Sequence, residues 1–280
     1  TETSAALLRA TRAWLQKNPA TGLCHLVTRE NKAGGAMAIL CAPASAPELP
    51  SLAKRLSGAV PALQSVWFCR LAPKPAHALN GRCSLVWGAP DFSDELLGLT
   101  FTLSPQAFFQ VNREQAETLF TAALDAAEPL EGARAFDAYC GAGAIALLMA
   151  ARGARCLGVE IVPEAIRDAK ENARRNGLSD RAEFLAEDAA MALPRLLKSG
   201  DVPDVITLDP PRKGADAALI DAIRAAKTPR VVYVSCDPAT LARDAKRLCA
   251  GGAYRLEFAR PVDMFPWTAH VETVARLTRD

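Results

Sequence analysis

No apolar run in these 280 residues reaches the roughly 20 residues needed to cross a bilayer as a helix. The first residues also lack the charged stretch and apolar core that mark a secretory leader. Both absences set the expectation of a cytoplasmic protein without a membrane partner. Charge of one sign is missing as well: 33 Lys and Arg against 31 Asp and Glu leave a net +2, too little to argue for nucleic acid on charge alone. Eight cysteines are present, yet Cys24, Cys41, Cys69 and Cys83 stand 17, 28 and 14 positions apart. That is not the spacing of an iron–sulfur motif, so no metal is expected, and the thiols are expected to be reduced. A phosphate-binding lysine motif is absent too.

What is there suits two globular domains: 50% apolar and 23% charged residues over 280 positions support substantial cores. Residues 1–100 read as a small α+β domain. Ala5 to Gln16 and Leu49 to Leu56 have helical periodicity, while Cys24–Thr28, Ala36–Cys41, Ser65–Arg70 and Cys83–Trp87 read as strands. Gly88-Ala89-Pro90-Asp91 is a turn leading away from it, with Leu99 to Leu103 as a connecting strand. Residues 1–100 carry ten Lys and Arg against six Asp and Glu, and residues 101–280 carry 23 against 25. The basic excess makes the smaller domain the candidate for polyanion contact.

Residues 101–280 read as an α/β fold with a Rossmann-like parallel sheet. Ala135-Phe136-Asp137 closes a strand, Cys140-Gly141-Ala142-Gly143 is a small-residue loop, and Ile145 to Ala151 opens an apolar helix. Glycines at 141 and 143 let a ligand approach the backbone. A second strand ends at Glu160, 23 residues after Asp137, where a carboxylate can accept hydrogen bonds from ribose hydroxyls. Phe184 to Asp188 is a third strand-like run ending in acids, and Val205 to Asp209 a fourth, followed by two prolines. Ligands of open parallel sheets bind beyond the carboxyl ends of the strands. Acids there, without a phosphate lysine, favour a cationic nucleoside over a dinucleotide, and S-adenosylmethionine (SAM) fits that description.

The last quarter carries the reactive groups. Val231-Val232-Tyr233-Val234 is a β-branched run, and Asp237-Pro238 has the chemistry of a helix start. Cys236 thus sits between a strand end and a helix N-terminus, which predicts a thiol pKa below the ~8.5 of a free cysteine. Farther on, Asp263 to Glu272 reads DMFPWTAHVE and places Glu272 near His270 and Trp267.

The order FFQVN, DAYCGAG, GVE, LDPPRKG, YVSCDPATLARD and DMFPWTAHVE resembles the SAM-dependent RNA uracil-C5 methyltransferases that form 5-methyluridine in ribosomal and transfer RNA. The resemblance covers roughly residues 101–280. It implies that Cys236 is the nucleophile and Glu272 the general base. It also implies that Gln110, Tyr139, Glu160, Asp188 and Asp209 contact SAM or shape its pocket. The implied chemistry is addition of Cys236 to uracil C6, methylation of C5 and removal of the C5 proton by Glu272. Two departures stand out: Ala144 where many members have asparagine after the glycine loop, and Trp267 where many have histidine. The first bears on a cofactor contact, the second on how a flipped base is held.

Neighbouring chemistries fit less well. Amino-group methyltransferases commonly carry an aromatic residue after Asp-Pro-Pro or Asn-Pro-Pro, whereas Asp209-Pro210-Pro211 runs into Arg212-Lys213-Gly214 here. Cytosine-C5 enzymes typically have a second cysteine after Asp-Ala-Pro, which is absent. The expectation is therefore a uridine C5-methyltransferase acting on RNA as a monomer, ribosomal RNA favoured and transfer RNA open. The alternative from another class is a non-catalytic RNA-binding module of the same fold. A base inside a helix cannot reach such a pocket, so the target is expected in a loop or flipped out, with Phe265 or Trp267 available for stacking. His270 is expected to be structural or to face RNA.

Overall fold

The computed structural model describes residues 1–19, 22–44, 48–75, 77–107 and 109–279. Phe108, the first residue of the FFQVN motif, lies outside them. The chain divides into two compact units, Thr1–Glu95 with Phe101–Ala107, and Leu96–Thr100 with Phe108–Asp280. The chain thus passes between units more than once, where the sequence reading places a single boundary after residue 100.

The first unit follows the sequence pattern closely. Helix α1 (Glu2–Leu15) precedes strands β1 (His25–Glu30) and β2 (Ala36–Ala42), then α2 (Leu49–Ala59), β3 (Leu63–Leu71) and β4 (Gly81–Gly88). The sheet order is β1-β2-β3-β4. β2 and β3 are parallel, as a helical crossover requires, while β1–β2 and β3–β4 are antiparallel. Alternate β2 residues Ala36, Ala38, Leu40 and Ala42 face Leu7, Trp14, Leu49, Leu52 and Leu56 of the two helices in one core. Two short strands, β5 (Ser93–Leu96) and β6 (Leu99–Thr102), occupy the stretch where the units divide.

The second unit is an alternating α/β array. It runs α3 (Arg113–Ala127), β7 (Arg134–Ala138), α4 (Ala144–Ala151), β8 (Arg155–Glu160), α5 (Pro163–Arg175), β9 (Ala182–Ala186) and α6 (Ala189–Lys198). It continues with β10 (Val205–Leu208), α7 (Ala217–Ala226), β11 (Arg230–Ser235), α8 (Pro238–Cys249), β12 (Arg255–Val262) and β13 (Glu272–Thr278). The sheet order is β12-β13-β11-β10-β7-β8-β9. β7 to β11 are mutually parallel, and β13 returns antiparallel between β11 and β12. Helices cover both faces, so β10 and nearly all of β11 are buried without alternation. Phe136, Val159, Ile206, Leu208, Leu219, Ile223, Val231 and Tyr233 form the centre of this core.

The strand order reverses between β7 and β10: the chain leaves β7 toward β8 and β9, then crosses back to β10 and β11. A crevice at such a reversal, beyond the carboxyl ends of the strands, is where this architecture receives ligands. Tyr139 and Asp209, the residues just past β7 and β10, stand at its two sides. Among the described residues, no helix is long and apolar enough to cross a membrane.

Candidate active site

Cys236 directly follows β11 and is half-buried. Its loop is tied locally: the Ser235 hydroxyl donates to the Asp237 carbonyl at 2.9 Å and accepts from the Asp237 N–H at 3.2 Å. The Asp237 carboxylate caps α8 by accepting from the N–H groups of Ala239 and Thr240, each at 2.9 Å. This corrects the sequence expectation for the thiol. Instead of falling, the Cys236 pKa is raised, first by burial and then by the charges of Glu272 and Asp209, with Arg212 opposing. The free donors that were to favour a thiolate are taken by Asp237, whose own charge occupies the helix end.

Glu272 opens β13 and is 5% exposed. Because β13 is antiparallel to β11, its first residues lie at the edge where the parallel strands end: Thr273 pairs with Ser235, and Val262 with Glu272. Burial pushes the Glu272 carboxyl up, and Arg212 lowers it. Asp209 follows β10, accepts no hydrogen bond among the described residues, and is pushed up to about 7 by burial and by the charges of Glu272 and Asp137. Cys236, Glu272, Asp209 and Arg212 thus form one electrostatic cluster.

The other expected residues are spread along the same edge. Tyr139 has a left-handed backbone (φ 62°), and its hydroxyl accepts from the Asp216 N–H at 3.2 Å. The phenol is therefore engaged with the segment after Arg212-Lys213-Gly214. Glu160 ends β8 and accepts from the Val162 N–H at 3.0 Å through Oε1. Asp188 is not a strand-end residue, because β9 stops at Ala186; it is the N-cap of α6 and accepts from the Ala190 N–H at 2.8 Å. Gln110 lies half-buried in the segment before α3.

The loop glycines differ in purpose. Gly141 (φ 53°) faces open space where a Cβ would project, as an approaching ligand requires. A Cβ on Gly143 (φ 87°) would instead meet the Phe184 ring at 2.9 Å, so this glycine serves packing more than ligand approach.

Three contributors were not singled out from the sequence. Buried Asp137 accepts from the Thr207 hydroxyl at 2.5 Å and the Ala146 N–H at 3.1 Å, holding the start of α4 against β10. Burial pushes its carboxyl up to about 7. Asn112, the N-cap of α3, donates through Nδ2 to the Met264 carbonyl at 3.1 Å, tying the FFQVN segment to the DMFP segment. Arg212 is the exposed cation that opposes the acids around Cys236 and Glu272. All three sit within the quoted motifs, which was the available signal. Trp267 is wholly exposed with φ 69°, and Phe265 is half-buried, so core packing does not account for the tryptophan.

Residues 97–280 match the family model described as tRNA (Uracil-5-)-methyltransferase. An RNA methyltransferase of Halalkalibacterium halodurans, named as uncharacterized, is 42% identical over 259 residues, covering 91% of this chain and 56% of the relative. A similarly named protein of Bacillus cereus is 38% identical over 267 residues, covering 94% and 57%. The chain thus spans about half the length of these curated relatives. Among solved structures, the tRNA (uracil-54, C5)-methyltransferase of Pyrococcus abyssi in complex with S-adenosyl-L-homocysteine superposes with a TM-score of 0.81. It is 26% identical, over 99% of this chain and 67% of that one. A SAM-dependent methyltransferase from Agrobacterium tumefaciens, 18% identical with a TM-score of 0.58 over 93% of this chain and 92% of that one, shares the fold.

Proposed function

The chain belongs to the tRNA (uracil-5-)-methyltransferase family, and on that premise we propose that it transfers a methyl group from SAM to C5 of a uridine in RNA. The observation that carries this reading is the cluster of Cys236, Glu272, Asp209 and Arg212 at the carboxyl edge of the sheet. The neighbouring residues suit SAM. Gly141 leaves open space at the loop, the Asp209 carboxylate has no donor among the described residues, and Glu160 keeps acceptor capacity beyond its bond to Val162. With Gln110, Tyr139 and Asp188 they are the residues proposed to hold or shape the cofactor site.

When bound, SAM supplies a methyl group activated on a sulfonium. The chain supplies the rest. Cys236 loses its proton and adds to uracil C6, which turns C5 into a carbon nucleophile. Arg212 favours both the thiolate and the Glu272 carboxylate by its charge. Once C5 carries its methyl group, Glu272 accepts the C5 proton and the C6–S bond breaks, returning the thiolate. Burial of Glu272 keeps water from competing for that proton. Wholly exposed Trp267 offers a stacking face for a base drawn out of its helix.

Ribosomal RNA is the substrate class proposed from LDPPRKG and the DMFP run. Transfer RNA is the second reading, favoured by the Pyrococcus abyssi structure. Incubation with methyl-labelled SAM and unmodified total RNA, followed by size separation and nucleoside analysis, tests both. Label in 5-methyluridine is expected, and its size fraction decides between the RNA classes. Bound SAM without labelled nucleoside would favour the RNA-binding module instead.

A further inference from the structure

The four-stranded sheet of the first unit carries a row of residues that the proposed methyl transfer does not use. His25 pairs with Cys41, Cys41 with Cys69, and Cys69 with Cys83, so a histidine and three thiols lie side by side on four adjacent strands. Directly opposed residues project from the same face of a sheet. Cys69 is the thiol between the other two, paired with Cys41 on β2 and with Cys83 on β4. Among the described residues no group of His, Cys, Asp and Glu is arranged to hold a metal ion, so the chemistry to consider is between the sulfurs themselves.

The ladder register selects one pair. The Ala72 N–H donates to the Asn80 carbonyl at 2.9 Å, which marks 72 and 80 as a hydrogen-bonded pair of the antiparallel β3–β4 ladder. Hydrogen-bonded and non-hydrogen-bonded pairs alternate along such a ladder. Stepping inward past Leu71↔Gly81 and Arg70↔Arg82 makes Cys69↔Cys83 a non-hydrogen-bonded pair. The Cα atoms of such a pair stand about 4.5 Å apart with side chains close together, within the roughly 4.4–6.8 Å that a disulfide spans. Cys41 and Cys69 are fully buried, and only Cys83 of the three has partial access to solvent.

We propose that Cys69 and Cys83 form a reversible oxidation site, in which a hydroperoxide converts the two thiols to a cross-strand disulfide. Cys83, the accessible member, attacks the peroxide oxygen as its thiolate; it becomes a sulfenic acid and the peroxide leaves as an alcohol, or as water from hydrogen peroxide. The Cys69 sulfur then displaces hydroxide from the Cys83 sulfur, and with the Cys69 proton this leaves as water. Two thiols are oxidised by two electrons and one peroxide is reduced. Cys41 lies within reach of Cys69 and provides a route for exchange. Burial pushes the Cys83 thiol up, so the reaction runs slowly near neutrality and quickens as pH rises.

The test uses the reduced chain with hydrogen peroxide as the probe, followed by alkylation of remaining thiols and peptide mass spectrometry. The expected product is a peptide pair joined through Cys69 and Cys83, lighter by two hydrogens and absent after dithiothreitol. Cys83→Ser should lose that pair while keeping the reduced protein's circular dichroism spectrum, and oxidised wild-type protein should melt at a higher temperature than reduced. Peroxide treatment that leaves Cys69 alkylatable, or oxidises Cys83 only to sulfinic or sulfonic acid, would overturn the proposal in the unmodified protein, whatever the variant does.

Discussion

Ser235 and Thr273 are partners across the antiparallel ladder between β11 and β13, and this pairing sets the residue after one beside the residue before the other. Cys236 and Glu272, 36 positions apart in the chain, therefore meet at one sheet edge, and the thiol feels the carboxylate's charge. A parallel strand at the place of β13 would begin at the opposite edge and remove Glu272 from the site.

The pairing leads to a division of labour that can be trapped. Cys236→Ala is expected to abolish covalent adduct and product together, lowering turnover on the order of 10⁴-fold or more. Glu272→Gln should instead accumulate a protein–RNA adduct that cannot eliminate. Denaturing gel separation with labelled RNA reads both, and a glutamine variant without adduct would count against the proton-abstraction role.

The raised pKa values of Cys236 and Glu272 fix the sign of the pH dependence. Both groups must be deprotonated to act, so kcat/KM should climb with pH through neutrality. Arg212 lowers both, and Arg212→Gln should move the rising limb to higher pH. Profiles of the two proteins measured in parallel check this; superimposable limbs would remove Arg212 from the cluster.

Asp137 makes a stability prediction. Its folded pKa of about 7 lies above the ~3.9 of an unfolded aspartate, so the folded state holds more protons between those values. Stability contributed by this group is therefore present below about 4 and declines as pH rises through about 7. Asp137→Asn removes that ionisation, and its melting temperature should fall less than that of the wild type between pH 5 and 8. An identical decline in both would assign the dependence to other groups.

Two glycines should separate packing from binding. A Cβ at Gly158 would meet the Phe184 ring at 2.6 Å and the Cys140 sulfur at 3.0 Å, so Gly158→Ala should destabilise by about 1–3 kcal/mol. Gly141 meets nothing within 4 Å but has φ 53°, so Gly141→Ala should cost about 1 kcal/mol and weaken SAM binding disproportionately. Denaturant unfolding and calorimetric titration with SAM distinguish the two effects.

Trp267 touches no core, so Trp267→Ala should leave stability within about 0.5 kcal/mol. Loss of one base stack, about 1–3 kcal/mol, should weaken RNA binding by roughly 5- to 150-fold. An unchanged RNA affinity in a filter-binding assay would exclude the stacking role.

Much of this protein was determined by sequence alone. Helix and strand periods, the glycine loop, the acids after successive strands and Asp237-Pro238 are local features, and local features read out from neighbouring residues. They were enough for the α/β class and the position of Cys236 at a strand end. Tertiary structure decided what depends on partners distant in the chain. The antiparallel return of β13, which brings Glu272 to Cys236, is a matter of register. The upward shift of the Cys236 thiol follows from burial and from acids on other strands. Tyr139 is engaged by Asp216, and the space beside Gly143 is filled by Phe184. Loss of hydration and charge–charge interaction sum over every group nearby in space, so the direction of a pKa shift at such a site belongs to the fold and not to the motif that marks it.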